Sequence, residues 1–349
     1  MDSFEDQQLE IISPENRSDC LVSSLLLAKA TLFYPAEKIT KKMRERLVEV
    51  ANSGGSNPNM PLTSMDIKIL GEQYSIGIHG DFLLLPHREI LETIIANAKS
   101  ISLSDNAKSG MNLRWSHILT TIENAEETKR HNKPFDSVIN PNATILSISM
   151  YDLAKCLGVA THRRNYEKIE ERIFQLSNAS LLADRVCEET GNKLERIPIR
   201  FIEDFRFCYD PSLNVSGRPS ECECNHVFVI PHPELLSAIK SHGYLYRKEQ
   251  HLMTKYARKP LLKSFLKYIK TNKGSFLHKK KLNWLLKQYI QSFPVAPSNV
   301  SRMRISIVDG ISENRTSLKE DFGISFTNLK SPDCQVLIDF NIYSESSKV

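Results

Sequence analysis

Between Ile145 and Leu182 the spacing of apolar residues changes twice. Ile145 to Ile148 is a short, mostly apolar run. Leu153, Ala154 and Leu157 then fall on one side of a short helix. After Gly158, Tyr166, Ile169, Ile173 and Leu176 recur at steps of three, four and three. A strand buries alternate residues and a helix buries one stripe with a period near 3.6, so this order predicts a strand, a short helix, a tight break and a longer amphipathic helix. Ser149 followed by Asp152 resembles a capping box at the start of the short helix. From Ala179 to Tyr209 the period returns to two, with Ile197, Ile199 and Phe201 apolar and Arg196, Arg200 and Glu203 polar. Two β-strands around Glu188–Lys193 are expected. Together this is the order of a helix-turn-helix followed by a β-wing.

The same reading places weaker elements elsewhere. Leu21–Phe33 is an apolar stretch suited to a strand or a helix, and 53–61 (SGGSNPNMP) is a loop. Thr63 or Ser64 is expected to cap a helix running to about Tyr74, with Met65, Ile67, Ile69 and Leu70 inward. Phe82–Leu85 is expected as a strand and Pro86–Ala98 as an amphipathic helix with proline in its first turn. Residues 100–142 are polar and read as an inserted loop, with a short ordered piece at Trp115, Ile118 and Leu119. Asp210–Asn225 is a second loop and His226–Ile230 a strand. Leu235, Leu236 and Ile239, then Tyr246–Ala257, read as helical. Pro260–Lys270 reads as a helix burying Leu261, Leu262, Phe265, Leu266 and Ile269, ended by Gly274.

The order of elements then repeats. GSFLH followed by KKKLNWLLKQYI is expected as a short strand and short helix, with Leu282 and Leu286 spaced like Leu153 and Leu157. After the break from Pro294 to Pro297, Ser298 is expected to cap a helix from Asn299 to about Ser317. Its Val300, Met303 and Ile307 repeat the steps of Tyr166, Ile169 and Ile173. Phe322–Thr327 and Gln335–Phe340 form a second hairpin. The fold class predicted is α+β, mainly α, as two tandem winged-helix domains. Residues 1–57 form an acidic tail and arm, 58–233 the first domain with its loop at 100–142, and 234–349 the second.

Composition narrows the function. The 349 residues suffice for two ordinary cores. No apolar run reaches the ~20 residues that a membrane helix needs. The acidic N-terminus lacks an export pattern, and seven scattered cysteines suggest a reducing compartment, so a cytoplasmic protein with no membrane partner is expected. Net charge is only +5, but residues 240–281 hold thirteen Lys or Arg and a single acid, Glu249. Beside a helix-turn-helix, such a run points to a polyanion.

The candidate DNA-reading residues lie at the start of each longer helix, where such helices meet base edges. They are His162, Arg163, Arg164, Asn165, Lys168 and Arg172 in the first, and Ser298, Asn299, Ser301, Arg302 and Arg304 in the second. Arginine has the donors for guanine and asparagine those for adenine. Lys279, Lys280 and Lys281, with Lys255 and Lys263, are expected on phosphates. Glu167, Glu170 and Glu171 make the first helix the candidate for a protein contact. Tyr244, Tyr246, Tyr256 and Tyr268 are more suited to helix packing than to stacking on single-stranded DNA.

Enzymatic readings find less support. Cys222, Cys224 and His226, with Cys208 nearby, have zinc-ligand chemistry but lack a matched second pair, so no metal is expected. No phosphate-binding GxxxxGK[ST] loop occurs, and no histidine pair of the strand-nicking type. No catalysis and no cofactor are expected.

SMYDLAKCLG followed by NYEKIEERIFQLSNASL, then HVFVIPHPELLSAI, then KPLLKSFLKYIKTNKGSFLHKKKLNWLL, resembles plasmid replication initiators of the IncQ replication-protein-C type. The iteron-binding initiators of broad-host-range plasmids are more distantly similar. The likeness covers about residues 62–100 and 143–341. It implies paired winged helices that bind directly repeated double-stranded origin DNA and open the adjacent duplex. It also implies helicase loading through host or plasmid replication proteins, and a dimer–monomer switch. The alternative within the same fold is a winged-helix transcriptional regulator on a palindromic operator.

Overall fold

The computed structural model describes residues 9–12, 20–24, 32–53, 61–69, 72–103, 113–116, 118–119, 137–209, 224–236, 243–247, 255–256, 258–270, 272, 274–291 and 297–343. In chain order, the N-terminal part holds β1 (Leu9–Ile12), β2 (Cys20–Ser24), α1 (Lys41–Ser53), β3 (Thr63–Ile69), β4 (Glu72–His79), α2 (Leu85–Asn97), β5 (Lys99–Leu103), β6 (Leu113–Arg114) and β7 (Val138–Ile139). The middle holds β8 (Ile145–Ser149), α3 (Met150–Cys156), α4 (Arg163–Asn178), β9 (Ser180–Val186), β10 (Lys193–Arg200), β11 (Ile202–Tyr209), β12 (Cys224–Pro231) and β13 (Gly243–Arg247). The C-terminal part holds α5 (Pro260–Lys270), α6 (Gly274–Leu277), α7 (Leu282–Gln291), α8 (Pro297–Glu313), α9 (Arg315–Phe322), β14 (Ile324–Phe326) and β15 (Val336–Ile338). The class is α+β.

Two cores follow from this order. The first packs α2, α3 and α4 between two antiparallel sheets, one ordered β1-β5-β8-β12-β11 and one β10-β9-β4-β3. Strand β8 is central to the first sheet, and the first four of its five residues, Ile145–Ile148, are all buried, which accounts for a run without clean alternation. Even Ser147 is inside, where its hydroxyl meets His226 Nε2 at 2.7 Å. Trp115, Ile118 and Ile139 cover the same sheet with Ile145 and Phe228. The second core joins α5, α7, α8 and α9 to the β14–β15 hairpin. On α8 the buried stripe is Met303, Ile307 and Ile311, while Val300 stays at the surface. At Gly310 a Cβ would stand 3.3 Å from Leu262 Cδ2, so α8 and α5 approach closely at this point.

Several expected elements differ. Thr63–Tyr74 is not a helix: β3 and β4 form a hairpin, paired from Thr63 with Ile78 to Ile69 with Glu72. Phe82–Leu85 is not a strand. Leu84 makes a single bridge to Tyr34 and Leu85 opens α2. Ser100–Leu103, expected at the start of the inserted loop, belongs to a strand beside β8 that begins at Lys99. Ala179–Tyr209 holds three strands, and the third, β11, pairs with β12 in the other sheet. Tyr246 lies in β13, which pairs with β2. Gly274 begins the helical turn α6 where the strand GSFLH was expected. The strand role passes to the next residues: Lys279 N–H donates to Val336 O at 2.7 Å, and Val336 N–H donates to Lys280 O at 2.9 Å. The expected helix Asn299–Ser317 divides into α8 and α9. The acidic residues 1–8, the loops at 54–60 and 210–223 with Cys222, Ile239, and the Pro294 break lie outside the described residues.

The two cores meet through charge. Glu92 of α2 is fully buried and accepts from Arg88 Nε at 2.7 Å and from Lys267 Nζ of α5 at 2.9 Å. Lys263 Nζ reaches Glu89 Oε1 at 2.6 Å. Burial works against the Glu92 charge, but Arg88 and Lys267 outweigh it and hold its pKa down to about 2.

The face assigned to α8 has a direct consequence for stability. Ile307→Ala removes a fully buried side chain and should cost ~2–5 kcal/mol. Ile305, two residues away, is 59% exposed, so Ile305→Ala should stay within ~0.5 kcal/mol. Urea unfolding followed by circular dichroism measures both. Equal losses would mean that α8 presents another face to the core.

Candidate nucleic-acid interface

In the second core the short helix α7, the longer helix α8 and the hairpin loop share one surface. Ser301, Arg302 and Arg304 are exposed near the start of α8, because Met303 and Ile307 take the buried stripe. Arg304 donates to Asn283 Oδ1 at the start of α7, and Asn283 Nδ2 donates to Pro332 O in the hairpin loop at 2.9 Å. Lys281 Nζ reaches Asp333 on the same loop at 2.7 Å. Lys279, Lys280 and Lys281 are all exposed where the chain enters α7. Lys279 holds a φ of 63°, an uncommon backbone for a residue other than glycine. Of the eight candidates in this half, the side chains of Ser298 and Asn299 lie outside the described residues. The other six are solvent-facing on adjoining elements.

In the first core α3 and α4 stand in the expected order, and Ser149 caps α3 by accepting the Asp152 N–H at 3.0 Å. Gly158, with φ of 69°, makes the break after α3. His162, Arg163, Arg164 and Lys168 are exposed at the start of α4. Arg163 is paired with Glu167 at 2.9 Å. Asn165 is half-buried, and its amide donates to Ala160 O at 2.8 Å, so it braces the turn in this conformation. Arg172 does not belong to this surface. It is half-buried, burial lowers its pKa, and Glu37 and Glu89 are the carboxylates that act on it most. Glu170 accepts the Tyr209 hydroxyl at 2.6 Å, which engages one of the three acids proposed for a protein contact. On the neighbouring hairpin, Asp184 binds Arg196 at 2.6 Å and Lys193 at 2.6 Å, and these hydrogen bonds hold its carboxyl well below the usual range.

No family model matches the chain, and no curated protein matches it. Two solved structures are similar in part. One is the selenomethionine derivative of domains 2 and 3 of RctB, with 11% identity over 79% of this chain and 85% of that one. The other is RctB domains 2-3, with 10% identity over 80% of this chain and 92% of that one. The TM-score is 0.39 for each.

The basic run at 240–281 divides in the structure. Lys263, Lys267 and Lys270 turn inward, so Lys263 is not a phosphate contact. Lys255 is held by Asp321 at 2.9 Å. Tyr256 is buried and Tyr268 half-buried, as helix packing requires. Two aromatics were not selected from the sequence. Phe276 and Trp284 are exposed, their ring centroids 6.1 Å apart, and the Lys280 ammonium lies 5.1 Å from one ring and 5.8 Å from the other. Their spacing at Phe276, Lys280 and Trp284, each four residues from the next, was a readable signal.

Among the three lysines entering α7, Lys281 is already neutralised by Asp333. Replacing all three by alanine should therefore reduce the slope of log affinity against log salt on duplex DNA by about 2, near 0.9 for each of Lys279 and Lys280. Fluorescence anisotropy across a salt series measures this, and an unchanged slope removes the segment from the interface.

Proposed function

We propose that the protein is a sequence-specific double-stranded DNA-binding protein built of two tandem winged helices. On this reading it initiates plasmid replication at directly repeated origin sequences and has no catalytic step of its own. The observation that carries the DNA-binding part is the contact chain Arg304–Asn283–Pro332, which draws the start of α8, the start of α7 and the hairpin loop onto one cationic surface. A helix, a basic entry segment and a wing side by side suit a major groove and its flanking phosphates. Exposed Arg302 and Arg304 carry donors for guanine O6 and N7, and Lys279 and Lys280 are suited to phosphate contact. The α3–α4 pair with the β9–β10 hairpin supports a second, weaker head, since Asn165 and Arg172 are engaged elsewhere. Initiation, helicase loading by host or plasmid proteins and a dimer–monomer switch rest on the sequence resemblance to plasmid initiators. No described helix is long and apolar enough to cross a membrane.

The test separates reading from attraction. A duplex enriched by the protein from a random pool is compared with an unrelated duplex of equal length. Arg302→Ala and Arg304→Ala should each cost ~1–3 kcal/mol of preference for the enriched duplex and little on the unrelated one. Equal losses on both duplexes would contradict base reading by α8.

A further inference from the structure

We infer that the ion cluster between α2 and α5 is a ruler that fixes the separation and rotational phase of the two DNA-reading heads. The inference rests on the two-headed reading above and adds to it the residues that set the spacing. The cluster draws Arg88, Glu89 and Glu92 from the first core and Lys263 and Lys267 from the second. The Arg88, Glu92 and Lys267 side chains are 6%, 1% and 3% exposed. Lys267 also lies 3.7 Å from Glu89, so one ammonium serves both carboxylates.

Such an interface selects geometry more than it adds stability. A buried ion pair roughly balances its own desolvation, whereas a buried carboxylate that loses its partners is strongly unfavourable. An apolar interface tolerates small slides. This one admits a single register, because sliding α5 along α2 would take Lys267 away from Glu92. When fully separated, the charges regain water, so the contact resists shear without being a permanent weld.

Each reading helix is fastened to one of the two clamped helices. On the first side, His87 of α2 holds Gln175 of α4 at 2.7 Å. His87 Nδ1 accepts the Leu84 N–H at 2.8 Å, which leaves the proton of the neutral ring on Nε2, directed at Gln175. Burial, which lowers the His87 pKa, favours that neutral form. Arg172 of α4 adds attraction to Glu89. On the second side, α8 packs on α5 through Gly310 and Leu262. The path α4–α2–α5–α8 is thus continuous. The strand β13, which lies between the two cores in the chain, pairs with β2.

A rigid pair of heads cannot follow a change in DNA spacing. Each added base pair moves one half-site by about 3.4 Å and turns it by about 35°. The experiment uses the full chain and the duplex it enriches from a random 40-base-pair pool, with two base pairs then inserted between the two protected half-sites. The parent protein should lose at least ~30-fold in affinity on insertion. Glu92→Gln, which leaves Arg88 and Lys267 without their shared carboxylate, should lose no more than ~5-fold. The triple exchange Arg88→Met, Glu92→Leu and Lys267→Met replaces the triad by apolar side chains of similar volume, and carries the test if Glu92→Gln does not fold. It should show the same relaxed spacing. Equal insertion penalties in parent and variants, or a parent that tolerates the insertion, would overturn the ruler and leave duplex binding standing. Failure of the parent to enrich any duplex would overturn the DNA reading and the ruler with it.

Discussion

A carboxylate with almost no solvent exposure sits where the two halves of this protein meet, and the arrangement of both halves follows from satisfying it. Glu92 has two oxygens, and each faces a cation: Arg88 from its own helix and Lys267 from the other core. Removing a charge from water is costly unless partners of good geometry replace the water. Helices α2 and α5 are therefore held in one register, and the elements packed on each inherit it. Inter-domain contacts built mainly from polar groups ordinarily permit relative motion. Here the Glu89–Lys263 pair adds a further point of attachment.

The two heads share a recipe but not an outcome. In each, a buried stripe on the longer helix turns the opposite, cationic side outward, so packing alone decides which side chains face solvent. In the second head this exposes Ser301, Arg302 and Arg304 beside three lysines. In the first, Arg163 is paired to Glu167, Asn165 is spent on its turn, and Arg172 faces the cluster between the cores. The first of these helices therefore leaves fewer cationic groups free for a partner, and part of its charge acts toward the carboxylates of α2 instead.

Local pattern carried much of the fold. The α4 stripe, the Ser149 cap and the α5 helix were legible because each depends on residues within one or two turns. Partners distant in sequence explain what was not. Lys263 and Lys267 sit in a run that reads as a solvated basic face, and the carboxylates that draw them inward are some 175 positions earlier. Lys279–Lys281 run alongside β15 only because Val336 and Gln335 supply backbone partners. The short apolar run at Thr63–Ile69 fits both periods, and its pairing with β4 decides between them. In the candidate interface, the identities of Arg302 and Arg304 were readable. Their link through Asn283 to the wing was not, since it joins three segments separated in the chain.

The proposed function requires two heads on one chain to grip one face of duplex DNA. Hydroxyl-radical footprinting of the full-length protein on DNA flanking its own gene tests it most directly. Two protected stretches are expected about one helical turn apart, ~34 Å between centres, repeated in the same orientation wherever the site recurs. A single protected stretch, protection arranged as an inverted repeat, or no protection at low salt would contradict it.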